Sequence, residues 1–147
     1  MKEISKILLD IKAVKLSPNA PFTWASGWKS PIYCNNRRAQ ASPGARLDVV
    51  CELTDLARSF HAFDAVIGVA TGAISWGAWV ADDLDLPFGY VRSEKKDHGL
   101  KTQVEGFEPE DLVGLKVLII EDLISTGGSS LKAVEALPMP VRRLSVW

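Results

Sequence analysis

Apolar positions along the chain follow two rhythms. Ile4, Ile7, Leu8 and Ile11 recur at helical spacing among charged residues, which predicts an amphipathic helix whose neighbourhood Pro18 and Pro21 close off. Leu47, Val50, Leu53, Ala57 and Phe60 share one face of a second helix over about 44–60, and Ile74, Ala78, Ala81 and Leu84 mark a third. Residues 65–70 and 117–120 instead form apolar runs without alternation. Such runs suit strands covered on both faces, as in a parallel sheet. Residues 88–91 predict a brief strand, and a last helix follows over about 129–137. Strands alternating with helices predict an α/β fold, a parallel β-sheet flanked by helices, with ligands beyond the carboxyl ends of the strands.

Two stretches lack this order. Residues 22–38 are rich in Trp, Ser, Gly, Pro and Asn and predict a short strand, a turn and another short strand, with Phe22 and Trp24 as core residues. Residues 92–109 are polar and charged, without apolar periodicity; a stretch of that kind inside a compact domain is usually functional or mobile. No repeat or low-complexity segment is present. The organisation expected is one domain over 1–147: an N-terminal helix and hood over about 1–40, a core over about 41–137, and an atypical tail over 138–147. In that tail Pro138 and Pro140 break the last helix after Leu137.

Composition narrows the class. Hydrophobic residues make up 47% and charged ones 24% of the 147 residues, as in a globular rather than a disordered protein. Seventeen basic against eighteen acidic residues leave a net charge of -1, which argues against nucleic acid or a membrane surface as the main partner. Two cysteines, Cys34 and Cys51, are too few for a disulfide-built secreted fold. Lys2, Glu3, Lys6 and Asp10 interrupt any signal-peptide core, and no apolar run approaches the roughly 20 residues that span a bilayer. A soluble, cytoplasmic protein is the expectation.

The candidate chemistry lies in residues 117–130, Val-Leu-Ile-Ile-Glu-Asp-Leu-Ile-Ser-Thr-Gly-Gly-Ser-Ser. A buried strand delivers Glu121 and Asp122 to its carboxyl edge. A loop then brings Ser125, Thr126, Gly127, Gly128 and Ser129 to a helix N-terminus. Glycines let backbone N–H groups approach a ligand closely, and the helix end favours an anion by about 0.3–1 kcal/mol. The loop alone is also what an ordinary helix cap looks like. Two acids placed directly after a buried strand are costly without a partner, which shifts the balance toward a site. The pattern asks for a phosphate in the loop and, beside the acids, ribose hydroxyls or a bound Mg²⁺. A Walker loop and a Gly-x-Gly-x-x-Gly fingerprint are both absent.

Apolar residues, two acids and a Thr-Gly-Gly turn together resemble the phosphoribosyl pyrophosphate (PRPP) motif of type I phosphoribosyltransferases. Two further segments resemble the orotate branch of that family. One is Pro21-Phe22-Thr23-Trp24-Ala25-Ser26-Gly27 with Lys29-Ser30-Pro31-Ile32-Tyr33. The other is Tyr90-Val91-Arg92-Ser93-Glu94-Lys95-Lys96-Asp97-His98-Gly99, returning through Val104-Glu105-Gly106. The three lie in one collinear order over residues 1 to about 137. The resemblance implies a type I phosphoribosyltransferase fold with a small N-terminal hood. It also implies Mg²⁺-dependent transfer of phosphoribosyl from PRPP to orotate in pyrimidine biosynthesis, giving orotidine 5'-monophosphate and pyrophosphate, in a homodimer.

By the same resemblance, Glu121 and Asp122 hold the ribose hydroxyls, and Ser125, Thr126, Gly127, Gly128 and Ser129 cradle the 5'-phosphate. Thr71 and Gly72 belong to a pyrophosphate loop that acts through backbone N–H groups. Arg92, Lys96 and His98 close over the leaving group as the catalytic residues, while Lys95 reads as a solvated charge. Ser26, Gly27 and Tyr33 line the orotate site. No protein side chain is expected to ligate the Mg²⁺ directly. Ala25, Gly72 and Ser93 stand where some family members carry lysine, which leaves fewer cations for the leaving group. Another type I phosphoribosyltransferase, or a PRPP-binding protein without turnover, are the alternatives. Residues 140–143, Pro-Val-Arg-Arg, read as a frameshifted version of a family-like Ala-Gly-Ala-Glu; if the tail is genuine, the sheet is expected to lack its later strands.

Overall fold

The computed structural model describes residues 4–24, 26–60, 62–92, 103–138 and 142–146, the last stretch by its backbone. The chain divides into two compact units, residues 1–52 and 53–147. The division falls within helix α2 (Pro43–Arg58), later than the end expected for the hood.

The first unit opens on helix α1 (Ile4–Asp10), where the apolar spacing places it. Ala13, fully buried, donates its N–H to Leu8 O at 2.8 Å and accepts from Asn35 N–H at 2.9 Å. Four short strands follow: β1 (Val14–Leu16), β2 (Phe22–Thr23), β3 (Lys29–Ser30) and β4 (Ile32–Cys34). β1 runs antiparallel to β4, with Leu16 opposite Ile32, and β2 pairs with β3. β1 has no counterpart in the sequence reading, because three residues beside a helix give too short an alternation to register. Phe22 and Trp24 are half-buried rather than core residues. The Trp24 indole N–H donates to Ile32 O at 3.1 Å, a demand that keeps this ring near polar backbone.

In the second unit a five-stranded sheet has the order β7-β6-β5-β8-β9. Its strands are β5 (Ala65–Val69), β6 (Phe88–Val91), β7 (Val104–Glu105), β8 (Lys116–Ile120) and β9 (Arg142–Val146). β6, β5, β8 and β9 run parallel, and β7 antiparallel to β6. Every residue of β5 is buried, as are Val117 to Ile120 of β8, which is what the unbroken apolar runs predict.

Each face of the central strands has its own helix. Ile67, Val69, Val117 and Ile119 share a core with Ala133 and Leu137 of helix α4 (Gly128–Ala136) and the residue that follows it. On the other face helix α3 (Ile74–Leu84) crosses closely, Gly77 lying against Gly68 and the Phe88 ring. Burying each such Ile or Leu contributes about 1.5–3 kcal/mol, so this sheet is a firm platform for what leaves its carboxyl edge.

The tail corrects one expectation. Pro138 does end the helix, with Leu137 already extended at φ -78° and ψ 140°. Yet Arg142 to Val146 add a further parallel strand, Arg142 opposite Lys116 and Val146 opposite Ile120. The open edge of β8 offers unpaired N–H and C=O groups, and an extended Arg-Arg-Leu-Ser-Val segment satisfies them. The sheet therefore does not stop at β8.

Candidate active site

β5 and β8 are parallel neighbours with Gly68 opposite Ile120, so the chain leaves both strands at the same edge. Two loops emerge side by side there, residues 70–73 and residues 121–127.

The first loop is a backbone structure. The Ala70–Thr71 peptide is cis. Ala70 N–H donates to Val91 O at 2.8 Å, tying the loop to the end of β6, and Ala73 N–H donates to Val69 O at 3.0 Å. Thr71 is exposed and Gly72 half-buried.

In the second loop charge and hydroxyls dominate. Glu121 is only 7% exposed. Its Oε1 accepts the Asp122 N–H at 3.3 Å, and its Oε2 is buried without a hydrogen-bond partner. Burial first, and then the neighbouring Asp122 charge, raise the Glu121 carboxyl to about 7. The Ser130 Oγ is itself buried and unpaired. An unused buried acceptor carries a penalty of about 1–3 kcal/mol, which an incoming hydroxyl would relieve. Asp122 lies against Gly72 so closely that a Cβ added there would collide with its carboxylate.

Beyond the acids, Gly127 stands at φ 79° as the residue before α4, a left-handed conformation that glycine adopts without a steric penalty. The first intrahelical bond runs from Leu131 N–H to Gly127 O at 2.9 Å. The N–H groups of Gly128, Ser129 and Ser130 therefore precede it and remain available at the positive end of the helix. Ser125, Thr126, Gly128 and Ser129 lie at this rim, Ser125, Thr126 and Gly128 among its more open positions. Their arrangement can hold an anion, with carboxylates close by to accept hydroxyl protons.

Comparison with known families fits that chemistry: the phosphoribosyl transferase domain matches residues 51–138. The chain belongs to the phosphoribosyltransferase family. An orotate phosphoribosyltransferase of Bacteroides fragilis is 57% identical over 142 residues, 93% of this chain and 66% of that protein. The chain thus spans just under two thirds of the length of the curated relatives it matches. Among solved structures, an orotate phosphoribosyltransferase from Aeropyrum pernix aligns with a TM-score of 0.72 at 36% identity, covering 92% of this chain and 73% of that one. A UMP synthase from Leishmania donovani aligns with a TM-score of 0.76 at 27% identity, covering 97% and 29%. The α/β architecture expected from the sequence is the architecture of this family.

Within the family fold, Glu121, Asp122 and residues 125–129 are gathered in one loop, and Thr71 and Gly72 stand in the neighbouring one. Arg92 follows β6. Its N–H donates to Gln103 O at 2.8 Å, and its guanidinium sits 3.6 Å from the Glu105 carboxylate. That half-exposed pair is worth at most about 1 kcal/mol. Lys96 and His98 lie outside the described residues. Ser26 and Gly27 form the tip of the β2–β3 hairpin in the first unit, where Gly27 N–H donates to Trp24 O at 2.8 Å. Tyr33, on β4, is exposed with its ring 5.5 Å from that of Phe22.

Sequence reasoning overlooked Ser130 and the packing of Asp122 on Gly72. The doubled Ser129-Ser130 was a visible signal, but its second hydroxyl gains meaning only once Glu121 is known to be buried. Among the described residues no group of three or more His, Cys, Asp or Glu side chains could hold a metal ion.

Proposed function

We propose that this chain carries the catalytic site of an orotate phosphoribosyltransferase, displacing pyrophosphate from PRPP with the ring nitrogen of orotate to give orotidine 5'-monophosphate. The observation that carries the reading is the β8 edge. Buried Glu121 and its neighbour Asp122 stand beside a helix N-terminus, in a chain 57% identical to a relative of that name.

Glu121 and Asp122 accept hydrogen bonds from the ribose hydroxyls, and their charge suits the positive character that develops on the ribose as the leaving group departs. The N–H groups of Gly128 and Ser129, with the hydroxyls of Ser125 and Thr126, hold the 5'-phosphate. Backbone N–H groups around Thr71 and Gly72 face the pyrophosphate. These groups fix the sugar at both ends, so much of the catalysis is positioning. Arg92, Lys96 and His98 supply cations to the leaving group, and Ser26, Gly27 and Tyr33 receive the pyrimidine.

Magnesium fits this donor set as a companion of the substrate. Bound with the substrate, its charge would offset that of the leaving group. The exposed apolar residues Leu16, Trp28 and Ile32 of the first unit support a homodimer. Cys34 and Cys51 form no disulfide, and no helix among the described residues is long and apolar enough to cross a membrane. Cysteines kept as thiols support a cytoplasmic setting.

The test follows orotate absorbance with PRPP and Mg²⁺ present. PRPP-dependent loss of orotate with matching pyrophosphate release is the expected result. PRPP binding without turnover would instead make the chain a binding protein.

A further inference from the structure

Two side-chain atoms of the second unit, Glu121 Oε2 and Ser130 Oγ, are buried without a hydrogen-bond partner. The fold brings them to one place. Val117 and Ile119 of β8 share a core with Ala133 of α4 and with Leu137, which follows it. A strand repeats its facing every second residue, and a helix every three to four. Glu121 is therefore the next member of the row that begins Val117, Ile119, and Ser130 the next member of the row Leu137, Ala133. β8 and β9 are parallel neighbours, so α4, which connects them, must run back against the strand direction. The two apolar rows thus end at the same edge of the sheet, one on a carboxyl and the other on a hydroxyl.

Burial and the Asp122 charge dominate the state of the Glu121 carboxyl, and the Ser130 hydroxyl is among the other groups that act on it. A serine hydroxyl carries one rotatable donor, and a carboxylate has about four acceptor sites. A bond from the core side would leave the outward sites of the carboxylate open to a sugar hydroxyl. Ser129, the adjacent serine, is exposed and belongs to the other face of the helix.

We propose that Ser130 is a positioning residue for Glu121: its hydroxyl donates to the carboxylate from the core side and fixes the direction in which the acid meets the ribose. This inference rests on the reading of Glu121 as a ribose-binding group. Ser130 itself touches no substrate.

The test compares Ser130→Ala and Ser130→Thr in the full chain. Ser130→Ala is expected to raise the KM for PRPP about fivefold while changing kcat less than about twofold. Ser130→Thr keeps the hydroxyl and should return KM to within about twofold of the unmodified chain. A packing role predicts the reverse order, because alanine fits the space and the added methyl of threonine crowds it; that order overturns the proposal. So does an unchanged KM in Ser130→Ala. Carbon-13 NMR titration of the Glu121 carboxyl supplies a readout without substrate. Loss of a donor to the charged form should move the Glu121 midpoint up by about one pH unit in Ser130→Ala, and an unmoved midpoint refutes the contact whether or not threonine is tolerated. If the unmodified chain binds no PRPP, the functional reading fails, and the NMR titration alone then decides whether Ser130 holds Glu121.

Discussion

The loop after β5 and the loop after β8 leave neighbouring strands at one edge, yet they are built on opposite chemistry. Residues 70–73 offer almost no side chain: an exposed threonine, a glycine, small alanines, and a backbone tied to both flanking elements. Residues 121–129 offer two carboxylates and three hydroxyls around the start of a helix. The difference teaches how one sheet edge can present two kinds of recognition: backbone N–H groups suit anions without desolvating a cation, while carboxylates suit hydroxyl donors. The two loops touch where Asp122 lies against Gly72.

The sharpest way to break this contrast is to neutralise the charged loop. Asp122→Asn keeps the shape of the side chain and removes its charge, and hydrogen bonds to charged groups contribute about 1.5–3 kcal/mol. PRPP should bind roughly ten- to a hundredfold more weakly by titration calorimetry. An unchanged affinity would mean that the carboxylate does not meet the sugar.

Glu121→Gln sharpens the contrast through stability. The Glu121 carboxyl takes up its proton near pH 7 in the folded chain, against an ordinary value of 4.5. Between those values the folded state holds a proton that the unfolded state releases. The stability that this group contributes therefore falls as pH rises from about 4.5 to about 7 and levels off above it. The loss is on the order of 3 kcal/mol. Glutamine, always neutral, escapes it, so urea unfolding should show the variant more stable at about pH 8 and nearly equal to the unmodified chain at about pH 4.5. Parallel pH curves for the two proteins would show that Glu121 is not titrating as described.

The smallest effect belongs to the bare loop. Thr71→Ala removes an exposed side chain from a loop proposed to act through its backbone, so stability should change by less than about 0.5 kcal/mol. The KM for PRPP should stay within about twofold. A large effect would give the Thr71 hydroxyl a direct part in binding and erase the contrast between the loops.

Some of this molecule is readable from its residues in order. The unbroken apolar runs ending at Val69 and Ile120 mark strands covered on both faces. Acids followed by a glycine turn mark the site, because both signals are local: a strand period, a turn and a helix start lie within about a dozen residues. Other features resist such reading. Three-residue β1 exists because β4 offers it a ladder, and Arg142 to Val146 become a strand because β8 has an open edge. Arg92 meets Glu105 because β7 returns antiparallel to β6.

By itself the sequence determined which groups this chain has and the local frames that hold them: the carboxylates after β8, the hydroxyls and glycines at the start of α4, the glycine after β5. Tertiary structure decided what each group feels. Parallel pairing of β5 with β8 sets Asp122 on Gly72, and burial together with the adjacent charge moves Glu121 toward neutral pH. The physical reason is one of range. Propensity and periodicity act over a few residues along the chain, whereas burial, steric contact and electrostatic coupling depend on whatever the fold brings near.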